Sequence, residues 1–229
     1  MSGPVLVTGA SHGVGFELVR LLAARGVPVL ATGRRAQADL PIDFPDCRYL
    51  RADLADPVDL ARVVAMGAAQ PLAGAILNAG IGFYRGIEDE APADIARVLA
   101  VNLDAQIALA HGLRGALSGG YLGLIGSVAR KGAAGMPVYA ASKGGLDGFG
   151  RALAQESRGQ VRVRVLHPGP TATGMAERAG RARDAMDRLF LPPALVARAI
   201  LRALEAPRGA DRQVISFARI ALERLRGAT

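Results

Sequence analysis

Short apolar runs alternate with longer stretches of helical periodicity along almost the whole chain. This alternation restricts the fold more than any other feature, because strand–helix–strand crossovers produce a parallel sheet covered by helices on both faces. We predict strands over residues 5–8, 29–32, 48–51, 75–77, 121–125, 161–166 and 213–216. We predict helices over residues 14–25, 57–68, 92–117, 137–157 and 192–205. Since such crossovers are right-handed with few exceptions, the expected fold is α/β with a doubly wound, seven-stranded parallel sheet.

The length and composition fit one compact domain over residues 1–229. The chain has 229 residues, of which 51% are hydrophobic and 21% charged, so it can bury a substantial core. Residues 170–191 begin irregularly and become weakly helical, which makes them a candidate substrate flap. Residues 220–225 have helical apolar spacing, which we interpret as a packing or subunit-contact helix.

The charge and cysteine content limit the possible partners. The formal net charge is +8, but 26 of the 28 basic residues are arginines scattered along the helical stretches, which indicates a solvated basic surface and no nucleic-acid partner. No apolar stretch approaches the ~20 residues that a spanning helix needs, so we expect no membrane partner. Cys47 is the only cysteine, which excludes a disulfide or a thiolate metal cluster within one chain. We therefore expect a cytoplasmic protein without a metal.

A glycine-rich loop connects the first predicted strand to the first predicted helix. Its glycines allow a sharp turn and a close approach to a pyrophosphate, whose charge lies against the amides of the helix N-terminus. The alternative is a tight turn with no ligand. Because the loop follows the first strand, we predict a Rossmann-type dinucleotide site whose contacts are Gly9, Ser11, His12, Gly13, Val14 and Gly15.

The end of the second predicted strand indicates which dinucleotide binds. An enzyme selective for NAD usually has an Asp or Glu there, which contacts the adenosine ribose. This chain has Arg34 and Arg35 instead. A guanidinium pairs with a 2′-phosphate through charge-assisted hydrogen bonds, so we predict NADP(H) with Arg34 and Arg35 or His12 near the phosphate. The alternative is an ordinary solvated arginine pair.

Two further polar signals follow the third and fourth predicted strands. Asp53 and Leu54 come directly after the third strand, and we expect Asp53 to accept a hydrogen bond from adenine. Its alternative role is to cap the helix that starts near Pro57. Asn78, Ala79 and Gly80 follow the fourth strand, where they either contact the dinucleotide or serve only as turn residues.

A tyrosine and a lysine define the predicted catalytic end. Tyr139 and Lys143 are four residues apart at the start of a predicted helix, so both project from one face. A nearby ammonium favours phenolate, so Lys143 is expected to lower the pKa of Tyr139 and also to reach the nicotinamide ribose. The alternative is a half-buried tyrosine beside a surface lysine.

Two other polar residues support the catalytic interpretation. Ser127 follows the fifth predicted strand at the same edge of the sheet and can hydrogen-bond a substrate oxygen. Asn102 lies in the middle of a predicted helix, whose interior disfavours Asn, and we expect it to hold a water that connects Lys143 to solvent. Its alternative role is that of a satisfied polar residue at a helix kink.

Together these motifs resemble those of the short-chain dehydrogenase/reductase family over nearly the whole chain. They occur in the family's order and at family-like spacing: Thr8-Gly9-x-x-x-Gly13-x-Gly15, Asn78-Ala79-Gly80, Asn102, Ser127, Tyr139-x-x-x-Lys143 and Pro168-Gly169.

The resemblance implies roles for particular residues. It implies that Asn102, Ser127, Tyr139 and Lys143 form a catalytic tetrad, and that dimers or tetramers form through the helices that hold Asn102 and Tyr139. It also implies nicotinamide or phosphate contacts after the sixth strand, from Pro168, Gly169, Thr171 and Thr173. The chain departs from many relatives at Gly126, where they carry a second serine, and the segment after Thr173 matches no substrate signature.

The function that we expect is hydride transfer between NADP(H) and a small-molecule carbonyl or secondary alcohol. The main alternative is a catalytically silent NADP-binding regulator or scaffold of the same fold, although the complete Ser127, Tyr139 and Lys143 set argues against it. A nucleic-acid-binding protein is a third class. Sugar-nucleotide epimerisation is disfavoured because the chain lacks room for the carboxyl-terminal substrate domain of such relatives.

Overall fold

The computed structural model describes residues 3–157, 159–175, 179–180, 190–206 and 212–215. Seven strands form one sheet in the order β3-β2-β1-β4-β5-β6-β7, and every neighbouring pair is parallel. The predicted doubly wound α/β fold is therefore confirmed. The strands are β1 (Val5–Thr8), β2 (Val29–Gly33), β3 (Arg48–Arg51), β4 (Gly74–Leu77), β5 (Tyr121–Ile125), β6 (Arg162–Pro168) and β7 (Arg212–Ile215).

Helices cover both faces of this sheet. On one face, α1 and the last described helix pack against β1, β2 and β5 through a buried apolar cluster that includes Leu18, Ile200 and Leu204. On the other face, a second cluster includes Leu109 and Leu146. The described α-helices are α1 (Gly13–Ala23), α2 (Pro57–Ala68), α3 (Pro92–Leu99), α4 (Ala105–Gly112), α5 (Pro137–Glu156) and α6 (Pro193–Glu205).

Three strands extend beyond their predicted bounds into a glycine or a proline. β2 continues to Gly33, which pairs with Arg51, and β6 continues to Pro168, which pairs with Ile215. β4 begins at Gly74, which pairs with Tyr121. Glycine and proline are tolerated at strand ends when a neighbouring strand supplies the pairing. β6 starts one residue later than predicted, and residue 216 of the last predicted strand lies outside the described residues.

The single long helix predicted over residues 92–117 is wrong. α3 ends at Leu99, a π-helical turn spans Ala100–Asp104, and α4 follows, ending at Gly112. The inserted turn carries Asn102, whose side chain bonds to the main chain of Ile81 in the loop after β4. A π-helical bulge changes the direction of the side chains within a helix. It therefore accommodates a polar residue that a regular helix interior disfavours.

The candidate flap at 170–191 is described at its two ends and at residues 179–180. Thr171 and Leu191 form an isolated parallel bridge, so the two ends meet at the base of the segment. Residues 176–178 and 181–189 and the predicted tail helix at 220–225 lie outside the described residues, and the single domain stays a prediction. Among the helices that the structure describes, none has the length and apolar character to cross a membrane.

Candidate active site

A cleft of about 230 Å³ opens at the carboxyl ends of the strands, where the strand order reverses between β1 and β4. Ligands of open α/β sheets bind at this topological switch point. The cleft brings together residues predicted from four separate loops. It is lined by Gly9, Ser11, His12, Thr32, Gly33, Arg34, Arg35, Ala52, Asp53, Leu54, Ala79, Gly80, Ile81 and Val101.

The glycine-rich loop after β1 is packed so closely that its glycine positions do not accommodate a side chain. Gly9 and Gly13 have φ values of +66° and +58°, a region that L residues rarely adopt. A Cβ on Gly15 would lie 2.1 Å from the carbonyl oxygen of Gly9. The first turn of α1 contains no acidic residue, and Val14 is buried beneath it. The loop therefore presents main-chain amides at the start of a helix.

The side chain of Thr8, which sequence reasoning did not select, fastens this loop to the neighbouring strand. Its Oγ1 accepts hydrogen bonds from the main-chain amides of Asn78 and Ala79, each at 3.0 Å. In return, Nδ2 of Asn78 donates to the carbonyl oxygens of Thr8 and Gly9 at 3.1 and 3.3 Å. Asn78 thus holds the loop main chain, whereas Ala79 and Gly80 line the cleft.

Two arginines and a histidine line the outer end of the cleft. Arg34 and Arg35 are exposed, and their main-chain oxygens accept hydrogen bonds from Arg51 and Tyr49. Arg34 also borders an adjoining depression of about 440 Å³ that includes Arg51. In the glycine-rich loop, Nδ1 of His12 is 3.2 Å from the hydroxyl of Ser11. The geometry therefore gathers positive charge where the sequence predicts the 2′-phosphate.

Asp53 lies in the cleft wall and is paired with an arginine from α3. Its carboxylate contacts the guanidinium of Arg97 at 2.5 Å and accepts a hydrogen bond from the amide of Ala55. Partial burial acts to raise the pKa of Asp53, but these bonds and the charges of Arg97 and Arg34 outweigh it and lower the pKa. The alternative capping role is wrong, because Asp56 caps α2.

The inner end of the cleft is the part lined by Gly80 and Ile81, and the predicted catalytic tyrosine and serine converge next to it. Tyr139 lies in the first turn of α5, and Ser127 lies where β5 ends and a short 3-10 turn begins. The Ser127 hydroxyl forms a hydrogen-bonding interaction with the Tyr139 phenol and also accepts the amide of Ala129 at 3.1 Å. Two hydroxyls from separate elements therefore face one point beside the cleft.

The expected acidification of Tyr139 by Lys143 is not found. Burial raises the pKa of Tyr139, and the hydrogen-bonding interaction with Ser127 offsets this only in part. Burial also lowers the pKa of Lys143 to about 8, so the ammonium is itself easily discharged. Its Nζ donates to the carbonyl oxygen of Ile125 at 2.9 Å and lies 5.7 Å from the centre of the tyrosine ring. At neutral pH the phenol is therefore kept protonated.

Asn102 is fully buried, and both the oxygen and the nitrogen of its side-chain amide form hydrogen bonds to protein groups. Oδ1 accepts the amide of Ile81 at 2.9 Å, and Nδ2 donates to the carbonyl oxygen of Ile81 at 2.8 Å and to Ser142 Oγ at 3.0 Å. These bonds fit the alternative role of a satisfied polar residue at a helix irregularity, and the water-holding role stays a prediction. A Cβ on Gly80 would lie within 3.4 Å of both Asn102 Oδ1 and Lys143 Nζ. Asn102 and Lys143 therefore border the same small space.

Ser142 is a member of this network that sequence reasoning did not select. It is fully buried, and its hydroxyl donates to the carbonyl oxygen of Tyr139 at 2.7 Å while accepting from Asn102. It therefore connects the π-helical turn to the first turn of α5. Its place between Tyr139 and Lys143 in the sequence was the available signal, but a serine in a helix most often hydrogen-bonds its own preceding turn.

One of the residues predicted after β6, Thr173, lies close to the glycine-rich loop. Thr173 is close enough to Gly13 that a Cβ on the glycine would lie 3.0 Å from the threonine side chain. The hydroxyl of Thr171 donates to the carbonyl oxygen of Gly169 at 2.8 Å, which stabilises the turn after Pro168. Thr173 is therefore placed across the loop, and Thr171 supports the main chain.

The fold and this arrangement of side chains define a nucleotide-binding oxidoreductase of the Rossmann class, and comparisons with known proteins give the family. The family described as "short chain dehydrogenase" matches residues 4–184. This chain belongs to that family.

Individual relatives support this assignment. Carbonyl reductase family member 4 of Danio rerio is 33% identical over 222 residues, which cover 90% of this chain and 93% of that protein. The cyclic-di-GMP-binding biofilm dispersal mediator protein of Escherichia coli is 32% identical over 81% of this chain and 80% of its own length. A short-chain dehydrogenase from Sphingobium yanoikuyae, solved with NADPH, has a TM-score of 0.82 at 25% identity and covers 99% of this chain and 93% of its own.

Proposed function

We propose that this oxidoreductase transfers a hydride between NADP(H) and a small-molecule carbonyl or secondary alcohol. The observation that carries the proposal is the convergence of the Ser127 and Tyr139 hydroxyls beside the cleft. An orienting hydroxyl and a proton-donating hydroxyl at one point suit a carbonyl oxygen that gains charge and then a proton. The relative of known structure with NADPH and the carbonyl reductase relative support the same chemistry.

The residues of the cleft fit a dinucleotide. Any side chain at Gly15 would collide with the main chain of Gly9, so the loop has the closeness that a pyrophosphate requires. Gly9, Ser11, His12, Gly13 and Val14 would hold the phosphates near the start of α1. On the sheet side, Asp53, Leu54, Ala79 and Gly80 would flank the adenosine, and Asn78 would act through the loop main chain. Near the nicotinamide we assign Tyr139, Lys143, Pro168, Gly169, Thr171 and Thr173.

When bound, NADPH supplies the hydride. Ser127 binds the substrate oxygen and fixes its direction. Tyr139, whose pKa is raised by burial, stays protonated at neutral pH and donates its proton to that oxygen as negative charge develops. Lys143 Nζ lies 5.7 Å from the centre of the Tyr139 ring and has a pKa lowered to about 8, so it can return a proton to the tyrosine. Asn102 fixes the loop that separates Lys143 from the cleft.

The cofactor preference rests on the arginines at the end of β2. Arg34 borders the cleft and the adjoining depression, and no acid occupies the corresponding end of the strand. An exposed guanidinium here favours a cofactor with a 2′-phosphate. We therefore propose NADP(H) as the working cofactor.

The test is a comparison of Tyr139→Phe with the purified wild-type chain on a panel of ketones, acyl thioesters, steroids and quinones. We expect the substitution to lower kcat by about 100- to 10,000-fold because it removes the proton donor, while NADPH binding stays measurable. Tyr121→Phe is the matched control, since Tyr121 is buried in β5 away from the cleft. Turnover retained by Tyr139→Phe would contradict the proposal.

A second candidate is an NADP-binding regulator or scaffold without turnover. The Escherichia coli relative, whose name describes ligand binding and biofilm dispersal, is the observation that favours it. NADPH binding by the wild-type chain, together with no oxidation across the panel, would support this candidate.

We also propose a cytoplasmic homodimer or homotetramer that contacts neither nucleic acid nor membrane; light scattering in solution tests its assembly.

A further inference from the structure

Three charged or titratable side chains lie buried behind Ser127 and are not used by the proposed chemistry. Asp147 Oδ1 is 2.9 Å from Nε2 of His167, and Asp147 Oδ2 is 3.4 Å from Nε of Arg130. His167 is fully buried, and the side chain of Arg130 is only 4% exposed. A buried ionic cluster of this kind is weak evidence for stability alone, because removing its charges from water offsets much of the attraction. Its location therefore needs another explanation.

The cluster joins the three elements that carry the catalytic end. Arg130 belongs to the turn that begins at Ser127, and His167 lies at the end of β6 directly before Pro168. Asp147 follows Lys143 by four residues on α5, so the two side chains lie on the same side of the helix. Each member is thus fixed to a different part of the site, and Asp147 contacts the other two.

The ring of His167 fills the space behind the catalytic serine. A Cβ on Gly126 would lie 2.4 Å from Nδ1 and 2.7 Å from Cε1 of this ring. The amide of Gly126 donates to the carbonyl oxygen of Leu166 at 2.7 Å, which fixes the two main chains side by side. Any side chain at position 126 would therefore have to displace either the imidazole or the main chain that leads into Ser127.

The electrostatic surroundings keep the ring neutral at neutral pH. Burial lowers the pKa of His167 and the charge of Arg130 lowers it further, while Asp147 and the main chain of Ser127 act in the opposite direction. The ring faces the Ser127 main chain, which acts on the imidazole as a hydrogen-bond partner. His167 therefore contacts the serine loop directly, and Asp147 fixes the ring through Nε2.

We propose that His167, held by Asp147 and Arg130, is a positioning residue that sets the distance between the Ser127 hydroxyl and Tyr139. In this arrangement Gly126 is required because the imidazole occupies the volume of its missing side chain. The inference rests on the proposed function, since it assigns a role to His167 in the same reaction. It adds that the residue tolerated at position 126 depends on the side chain at position 167, and the reverse.

The test is a double-mutant cycle with Gly126→Ser, His167→Ala and the combined variant. Each single change is expected to lower kcat by about 10- to 100-fold with the NADPH Kd within about twofold of wild type, because only the serine moves. In the double variant the new serine occupies the vacated space, so kcat and Tm should both recover relative to Gly126→Ser. His167→Gln, which keeps a donor for Asp147, is expected to retain more kcat than His167→Ala.

Several outcomes would overturn the inference. Losses that add in the double variant would contradict the reciprocal fit, and a lower Tm with unchanged kcat in His167→Ala would show that the ring serves stability only. If Gly126→Ser does not fold, Asp147→Asn provides the same kcat and Kd comparison, and unchanged kcat there rejects the role of the cluster. His111→Ala, at an exposed histidine on α4, is the matched control.

The experiment separates this inference from the proposed function. If Tyr139→Phe abolishes turnover and the His167 variants do not change it, only the positioning role fails. If Tyr139→Phe keeps turnover, the proposed chemistry fails, whatever the cycle shows. The Tm coupling between positions 126 and 167 is measurable in either case, because it does not depend on activity.

Discussion

The two ends of the cleft are built from opposite kinds of polar contact. At the outer end, Arg34 and Arg35 are exposed and are held mainly through their main chains. At the inner end, Asn102 and Ser142 are fully buried and Lys143 is 3% exposed, and each of the three forms hydrogen bonds within the protein. The outer end therefore exposes charged side chains to solvent, whereas the inner end buries its polar and charged side chains.

This difference indicates how each end contributes to function. Exposed charges interact weakly because water and salt screen them, so the outer end can tune affinity with little effect on folding. Buried polar groups interact strongly, and an unmatched one destabilises the fold by about 1–3 kcal/mol. Substitutions at the inner end are therefore expected to change turnover and stability together, and those at the outer end only binding.

The largest expected effect follows from replacing the buried lysine. Lys143→Met should lower kcat by about 100- to 10,000-fold, because it removes the group that returns a proton to Tyr139. The same change should increase the free energy of unfolding at pH 7 by about 1–2 kcal/mol. Burial lowers the pKa of Lys143 to about 8, so the charged form destabilises the folded state, and losing the bond to Ile125 offsets part of the gain.

The pH dependence of that stability difference provides the check. The folded pKa of Lys143, about 8, is below its usual value of 10.5, so the penalty on the wild type is complete below pH 8. It disappears as the pH rises from about 8 to 10.5, and the variant should lose its advantage over that window. Denaturant unfolding at pH 7 and pH 10 measures this, and a constant difference would show that folding does not lower the pKa of Lys143.

A smaller effect on turnover but a large one on binding is expected from Gly15→Ala. The added methyl would lie 2.1 Å from the Gly9 oxygen and 2.7 Å from Nδ2 of Asn78, so the loop has to open. We expect the NADPH Kd to rise by about 100-fold and the free energy of unfolding to fall by about 1–3 kcal/mol. Titration of NADPH fluorescence and thermal unfolding give both values.

Gly115→Ala is the control for this change, because a Cβ there meets no atom within 4 Å. It should leave the NADPH Kd unchanged. If Gly15→Ala also binds NADPH normally, the glycine-rich loop is not where the phosphates lie.

The sequence predicted the fold well because strands and helices depend on local periodicity. Every described strand overlaps its predicted position, and α2 has its predicted bounds. The helix over 92–117 failed because the interruption at Asn102 depends on the Ile81 main chain, which is 21 residues away in sequence. Hydropathy patterns report the period of an element and contain no information about a distant hydrogen-bonding partner.

The sequence predicted which residues come together at the candidate site, but not their electrostatics. Tyr139, Lys143 and Ser127 were identified from spacing, yet the pKa of Tyr139 is raised because burial outweighs the neighbouring groups. Burial is a property of the packed molecule, and the sequence gives no measure of it for one phenol. The Arg97 partner of Asp53 was missed for a similar reason. The two residues are 44 positions apart in sequence and meet only in the folded structure.

The smallest expected effect is at the outer end, where Arg34→Ala should weaken NADPH by about 10-fold and leave NADH unchanged. One charge-assisted hydrogen bond at an exposed site accounts for about that much affinity. Arg48→Ala is the matched control, because Arg48 is exposed at the opposite end of β3. The wild-type preference for NADPH over NADH should also shrink as salt rises from 0.05 to about 0.5 M, since the Debye length falls below 10 Å. Binding of NADPH and NADH measured across that range tests both points. A preference that resists salt and survives Arg34→Ala would mean that a buried group recognises the 2′-phosphate, and that the two ends of the cleft are more alike than their exposure indicates.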